Sequence, residues 1–141
     1  VRIQSAMKKT GSTFEKEVFQ LIRDSPLKTA ISGGIYRDGM RPFNSHQEDA
    51  IVSFLTGIDG QFQRGIVNIN IFIPDIEFGG QNRVKNIARC NQIEELCQGV
   101  ISSLKKDGYR FSLDSLIQTF KAEETDQHFV NVKLRFDYVT F

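Results

Sequence analysis

Phe129-Val-Asn-Val-Lys-Leu-Arg-Phe-Asp-Tyr-Val139 decides the fold. Val130, Val132, Leu134, Phe136 and Tyr138 fall at every second position, with Asn131, Lys133, Arg135 and Asp137 between them. Successive side chains of an extended strand point to opposite faces, so this spacing predicts a strand with one buried and one wet face. Gln61 to Ile73 repeats the pattern, with Val67, Ile69, Ile71 and Ile73 on one face and Asn68 and Asn70 on the other, until Pro74 stops it. Working backwards, Ile58-Asp59-Gly60 is a turn signal, and Glu48 to Thr56 reads as the other arm of a hairpin. Leu116 to Glu123 and Phe129 to Val139, joined by Glu124-Thr-Asp-Gln127, make a second hairpin, and Tyr109 to Leu113 is a short extended piece before it.

Helical spacing appears in two places. Arg83 to Lys106 carries Val84, Ile87, Ala88, Asn91, Leu96, Cys97, Val100, Ile101 and Leu104 at a 3.6-residue period. Asn82 is its expected N-cap, Gly108 its expected C-terminal stop, and Gly99 a point of close approach to the sheet. Ser12-Thr-Phe-Glu15 has the form of a capping box ahead of Phe14, Val18, Leu21 and Ile22. The segments 38–47 and 75–82 read as irregular loops. The expected fold is thus α+β: an antiparallel sheet of two hairpins, about four to five strands, with an N-terminal helix and one long helix packed on one face. Residues 1–11 read as a flexible N-terminus or a short upstream remnant, and 12–141 as one domain.

Composition supports one real core: 141 residues, 40% of them hydrophobic, with 12 Phe and no Trp. Eighteen basic residues nearly cancel 17 acidic ones, so the basic excess of a dedicated nucleic-acid binder is missing. No apolar run approaches the ~18 residues of a membrane helix. Cys90 and Cys97 lie seven apart in the predicted helix. That separates them by about 10.5 Å, beyond disulfide reach, and leaves them as small hydrophobes. With only His46 and His128 beside them, no zinc-ligand spacing arises, and neither a metal nor a cofactor is expected.

No catalytic constellation stands out. There is no G-x-S-x-G elbow and no phosphate-binding glycine loop; Gly33-Gly34 and Gly79-Gly80 fit neither pattern. Glu48 and Asp49 are neighbours on a strand, so they face opposite ways and do not share a substrate. An enzyme reading would rest on His46, Glu48 and nearby arginines, as in a small nucleic-acid-processing factor. Basic residues have two possible gathering points: Lys28, Arg37, Arg41 and Arg64, and Arg83, Lys85 and Arg89. The second set opposes the dipole of the predicted helix and so points to a partner. A single helix covers only one face of the sheet, which leaves Asn68, Asn70, Lys133, Arg135 and Asp137 on an uncovered assembly face.

The segment Ile31-Ser-Gly-Gly-Ile-Tyr-Arg-Asp-Gly-Met-Arg-Pro42, followed by Asn44-Ser45 and Glu48-Asp49, resembles the tail-completion proteins of long-tailed phages and prophages. Gly65-Ile-Val-Asn-Ile-Asn-Ile-Phe-Ile-Pro-Asp75, the long helix and the closing hairpin continue the resemblance over nearly the whole chain from about Thr13. The resemblance is one of layout, best carried by Arg41-Pro42 and the Gly65 strand, and the 75–82 loop departs from it. It implies a non-enzymatic tail terminator or head–tail joining component of the virion. Such a protein assembles in the host cytoplasm as a homo-oligomeric ring, often hexameric, on the tail tube and against head-connector proteins, with DNA only as passing cargo. The assembly contacts would be Arg37, Arg41, Pro42, Asn68, Asn70, Arg83, Lys133 and Arg135.

Overall fold

A computed structural model describes residues 8–139. The expected remnant Val1 to Ala6 lies outside the described residues. Helix α1 spans Gly11–Arg23, the short α2 Leu27–Ala30 and α3 Ile87–Ser103; the strands are β1 Ile35–Arg37, β2 Ala50–Ile58, β3 Phe62–Pro74, β4 Ile76–Phe78, β5 Gln81–Val84, β6 Tyr109–Leu113, β7 Gln118–Lys121 and β8 Gln127–Val139. Six strands form one sheet in the order β1-β2-β3-β8-β6, with β7 also on β8, while β4 and β5 pair apart as a small ribbon.

The two alternating strands of the sequence lie side by side at its centre. They pair antiparallel along their full length, Phe62 opposite Val139 through Pro74 opposite Gln127. Val67, Ile69, Ile71 and Ile73 therefore meet Leu134, Val132, Val130 and His128 directly, and the nine apolar side chains that the two strands turn to this face, from Val67 to Tyr138, are buried. Gly65 sits opposite Phe136, and a Cβ there would come within 2.7 Å of the Phe136 ring and of the Thr56 carbonyl, so this close approach requires glycine.

Two helices, not one, cover that apolar face. Phe14, Val18 and Ile22 of α1 and Cys90, Ile93, Cys97, Val100 and Ile101 of α3 join the same core. Phe14 meets Phe136 with ring centroids 4.4 Å apart. Both cysteines are buried as small hydrophobes, and burial pushes the Cys97 thiol up to about 12.

Several local expectations are corrected. The sheet is mixed, because β1 pairs with β2 in parallel, Ile35 to Ala50 and Arg37 to Val52. The loop 38–49 carries the chain back to the end where β1 began, the usual need of a parallel pair. Helix α1 begins at Gly11 with Thr10 as its cap, the Thr13 N–H donating to Thr10 Oγ1 at 3.3 Å. The Ser12–Glu15 capping box does not form, since the Glu15 carboxylate accepts from Arg37 Nε at 3.0 Å and from the Phe54 N–H at 3.2 Å. Lys8 and Lys9, placed in the flexible leader by the sequence reading, are held: Lys9 exchanges two 2.9 Å hydrogen bonds with the Gln63 side chain.

Residues 75–82 are not an irregular loop. Gly79 and Gly80 have φ of 62° and 78°, the left-handed pair that turns a tight hairpin between β4 and β5. Helix α3 consequently starts later, capped by Asn86 rather than Asn82, with the Arg89 N–H donating to Asn86 Oδ1 at 3.2 Å. Gly99 is exposed with nothing within 4 Å of an added Cβ, so it marks no close packing. The helix ends at Ser103, and Gly108, at φ 85°, turns the chain into β6 instead of capping it.

Candidate assembly surface

The sheet face turned away from α1 and α3 has no element over it among the described residues. Strand pairing sets its side chains in rows. Phe72, Phe129 and Phe120 stand abreast on β3, β8 and β7, with centroids 5.6 and 5.8 Å apart. The Arg41 guanidinium lies over Phe72, 4.2 Å from its centroid, and closes this aromatic strip at one side. The next row holds Tyr36, Ile51, Asn70, Asn131 and Gln118. Asn131 Nδ2 donates to Asn70 Oδ1 at 2.7 Å and to Asn68 Oδ1 at 3.3 Å, so the buried amide is satisfied within the face. Lys133 and Arg135 follow, then Arg64, Asp137 and Arg110 on three adjacent strands. Arg64 Nε is 3.2 Å from Asp137 Oδ1 but outside hydrogen-bonding geometry, so that contact is Coulombic. The face thus runs from aromatic through amide to cationic.

The loop 38–49 is tied to this face by a buried ion pair. Asp49 is 1% exposed. Its Oδ2 accepts from Arg41 Nε at 2.8 Å and from the Ser45 hydroxyl; its Oδ1 accepts from the Gly34 N–H at 2.9 Å. Burial pushes the carboxyl up, and the Ser45, Arg41 and Gly34 hydrogen bonds outweigh it, so the group is held below the usual carboxylate range. Arg41 Nη2 also donates to Gln127 Oε1 at 3.0 Å, and Gln127 Nε2 returns a bond to the Ser45 carbonyl at 2.9 Å. Arg41-Pro42 is thus the pin of a shaped loop, and Phe43 beyond it is 92% exposed.

Glu48 faces the other way. Arg89 grips it bidentately at 2.7 and 2.8 Å, donates at 2.5 Å to the Ala30 carbonyl, and so fastens α3 to α2 and to the start of β2. The Arg89 hydrogen bonds hold the Glu48 carboxyl below its usual range. His46 is exposed in the loop, and no hydrogen bond joins it to Glu48 among the described residues. His128 Nδ1 lies 2.7 Å from Asp75 Oδ1, with Lys121 Nζ 3.3 Å from Asp75 Oδ2. This cluster closes the β3, β7 and β8 ends. Among the described residues no group of three or more His, Cys, Asp or Glu is placed to hold a metal, and no helix is long and apolar enough to cross a membrane.

The structure brings Asn68, Asn70, Lys133 and Arg135 together on the open face and sets Arg41 at its margin. Arg37 belongs to the covered side, donating to Glu15 and to the Ser12 carbonyl at 3.1 Å. Arg83 lies in β5, paired with Asp126, and Arg89 is spent on Glu48. Neither expected cluster of basic residues gathers: Arg37 and Arg41 have separate acidic partners, and Arg64 lies at the far end of β3. The inferred dipole mismatch shrinks to Arg89, in the first turn of α3 and paired with Glu48, since Arg83 and Lys85 precede the helix. Sequence reading missed the aromatic strip. Its signal was phase: Phe72 shares the parity of Asn68 and Asn70, and Phe129 that of Asn131 and Lys133.

No known protein family and no curated protein matches the chain. Solved structures do match. One aligns over 92% of this chain and 96% of that chain, at 14% identity and a TM-score of 0.54. The α+β architecture with its single main sheet is therefore a fold already seen elsewhere, and the likeness speaks to fold alone.

Proposed function

We propose that the chain is a structural assembly component that forms a homo-oligomeric ring, in the manner of the phage tail terminators its layout resembles. The observation that carries this reading is the open sheet face. It is wide and ordered by its own hydrogen bonds, and it leaves Phe120 43% exposed beside Phe72 and Phe129. A face graded from aromatic to cationic is built to be met by another surface. Its rigidity favours docking over chemistry, because the amides and Arg41 are engaged by partners inside the chain. The head-end proteins and tail tube of a virion are the partners this reading implies, with DNA passing through.

The competing reading, a nucleic-acid-processing factor using His46 and Glu48, is not favoured by the geometry: Glu48 is saturated by Arg89 and Ser32. Light scattering of the purified protein, followed by incubation with tail tubes, tests the ring. The expected result is a closed oligomer of discrete mass, alone or on the tubes. A strict monomer at high concentration that also ignores tail tubes overturns the reading.

A further inference from the structure

The two ends of the sheet differ in shape and charge. One end carries the 38–49 loop, from which Phe43 projects. The other carries a cavity of about 390 Å³ floored by Phe14, Phe54 and Phe136 and rimmed by Lys8, Ile58 and Arg64. Phe14 and Phe136 are 4% and 0% exposed, so the half-buried Phe54, its centroid 6.5 Å from Phe14 and 6.4 Å from Phe136, is the floor ring that a further aromatic can touch. Between the two ends runs β2, nine residues long, or about 27 Å. Arg41 and Asp49 pin the loop at its own end. Phe43 therefore does not reach the cavity of its own chain.

Charge follows the same polarity. Beside Phe43 the β7–β8 turn brings Glu124, and next to it the exposed Glu123, neither with an ion-pair partner among the described residues, while Asp126 of the same turn is paired with Arg83. At the cavity end the exposed Lys105, Lys106 and Arg110 outnumber the exposed Asp107 beside them, with Lys106 also within electrostatic reach of Glu17. Asp59 at the rim is already engaged by Lys8 at 3.3 Å and Gln63 at 3.1 Å. An acidic end bearing an aromatic knob and a basic end bearing an aromatic hole are complementary across two copies.

We infer that Phe43 of one copy inserts into the Phe14–Phe54–Phe136 cavity of the next, making a head-to-tail contact between copies of this chain. A contact between two different patches is heterologous, and repeated it closes into a ring or runs on as a filament. The inference rests on the ring reading and specifies its joint.

The test uses the full chain in four forms. Phe43→Asp is expected to raise the association midpoint at least about tenfold by light scattering, with its thermal melt unchanged because Phe43 is exposed. Phe78→Asp, at the tip of the β4–β5 hairpin, is expected to assemble as the parent does. Phe43→Cys mixed with Ile58→Cys is expected to yield a cross-linked pair under oxidation that neither forms alone, Cys90 and Cys97 being buried. If the parent is oligomeric while Phe43→Asp assembles normally, or Phe78→Asp is the variant that dissociates, this joint is wrong and the ring stands. If residues 1–7 of the same chain fill the cavity, Phe43→Asp is inert and the mixed cysteines do not cross-link, which also overturns it. A parent that stays monomeric both alone and with tail tubes overturns the ring itself.

Discussion

The two faces of the main sheet are built from the same strands, yet one is a core and the other a surface. On the covered face, Val67 to Ile73 and Val130 to Tyr138 meet α1 and α3 and exclude water. On the open face, one residue out of phase, Phe72, Asn70 and Asn68 meet Phe129, Asn131 and Lys133, with the Arg41 guanidinium over Phe72 and no helix or strand over the row among the described residues. The covered face holds the fold by area removed from water, the open one by hydrogen bonds that fix side chains in place without hiding them. Substitutions on the two faces should therefore separate stability from assembly.

The largest stability effect is expected at Phe136, fully buried between Phe14 and Gly65. Phe136→Ala should cost about 3 to 5 kcal/mol in denaturant unfolding, from lost transfer energy and the cavity left behind. Next comes Asp49→Ala, which strands the Arg41 guanidinium, only 16% exposed at its side chain. Removing one partner of such a pair costs about 3 kcal/mol, and the 38–49 loop should become the first site of proteolysis. An acid titration sharpens the same point. Glu48 and Asp49 titrate below the usual carboxylate range in the folded chain, so their contribution is complete above about pH 5 and is lost as pH falls below about 4. Thermal melts of Asp49→Ala should show a shallower decline over that interval than the parent.

Smaller effects belong to the open face. Asn131→Ala removes the donor shared by Asn68 and Asn70 and should cost about 1 kcal/mol. Arg135→Glu, exposed and unpaired among the described residues, should shift stability by no more than about 0.5 kcal/mol. If it nevertheless weakens assembly in light scattering, the two faces are shown to have separate roles. If Arg135→Glu destabilises as much as Asn131→Ala, the division between them fails.

Where period alone settles structure, the sequence was readable. The β3–β8 core, its buried parity and the β2–β3 hairpin follow from alternation that no local competitor disturbs. The misreadings share a cause: a partner distant in sequence. Glu15 looked like a capping residue because Ser12 is local, but Arg37 and the Phe54 N–H outbid it across the fold. Arg83 looked helical because Val84 and Ile87 extend the period, yet Gly79-Gly80 turn the chain into a ribbon first. The parallel placement of β1 was hidden because nothing in Ile35-Tyr36-Arg37 encodes direction. On the site, Asn68, Asn70, Lys133 and Arg135 were legible by parity, while the binding of Arg41 to Asp49 and Gln127 depends on residues up to 86 positions away.

The flank of β8 limits how far the sheet can grow. Its outer side is lined by two strands in tandem, β7 against Gln127's half and β6 against the half ending at Tyr138, with residues 114–117 bulging between them and Leu116 82% exposed. The opposite margin of the sheet is the three-residue β1. A growing β-ribbon needs a long, unbroken row of free amides, and neither margin offers one. The molecule is thereby guarded against indefinite sheet extension, and the ring proposed above would have to form through surfaces that saturate once occupied.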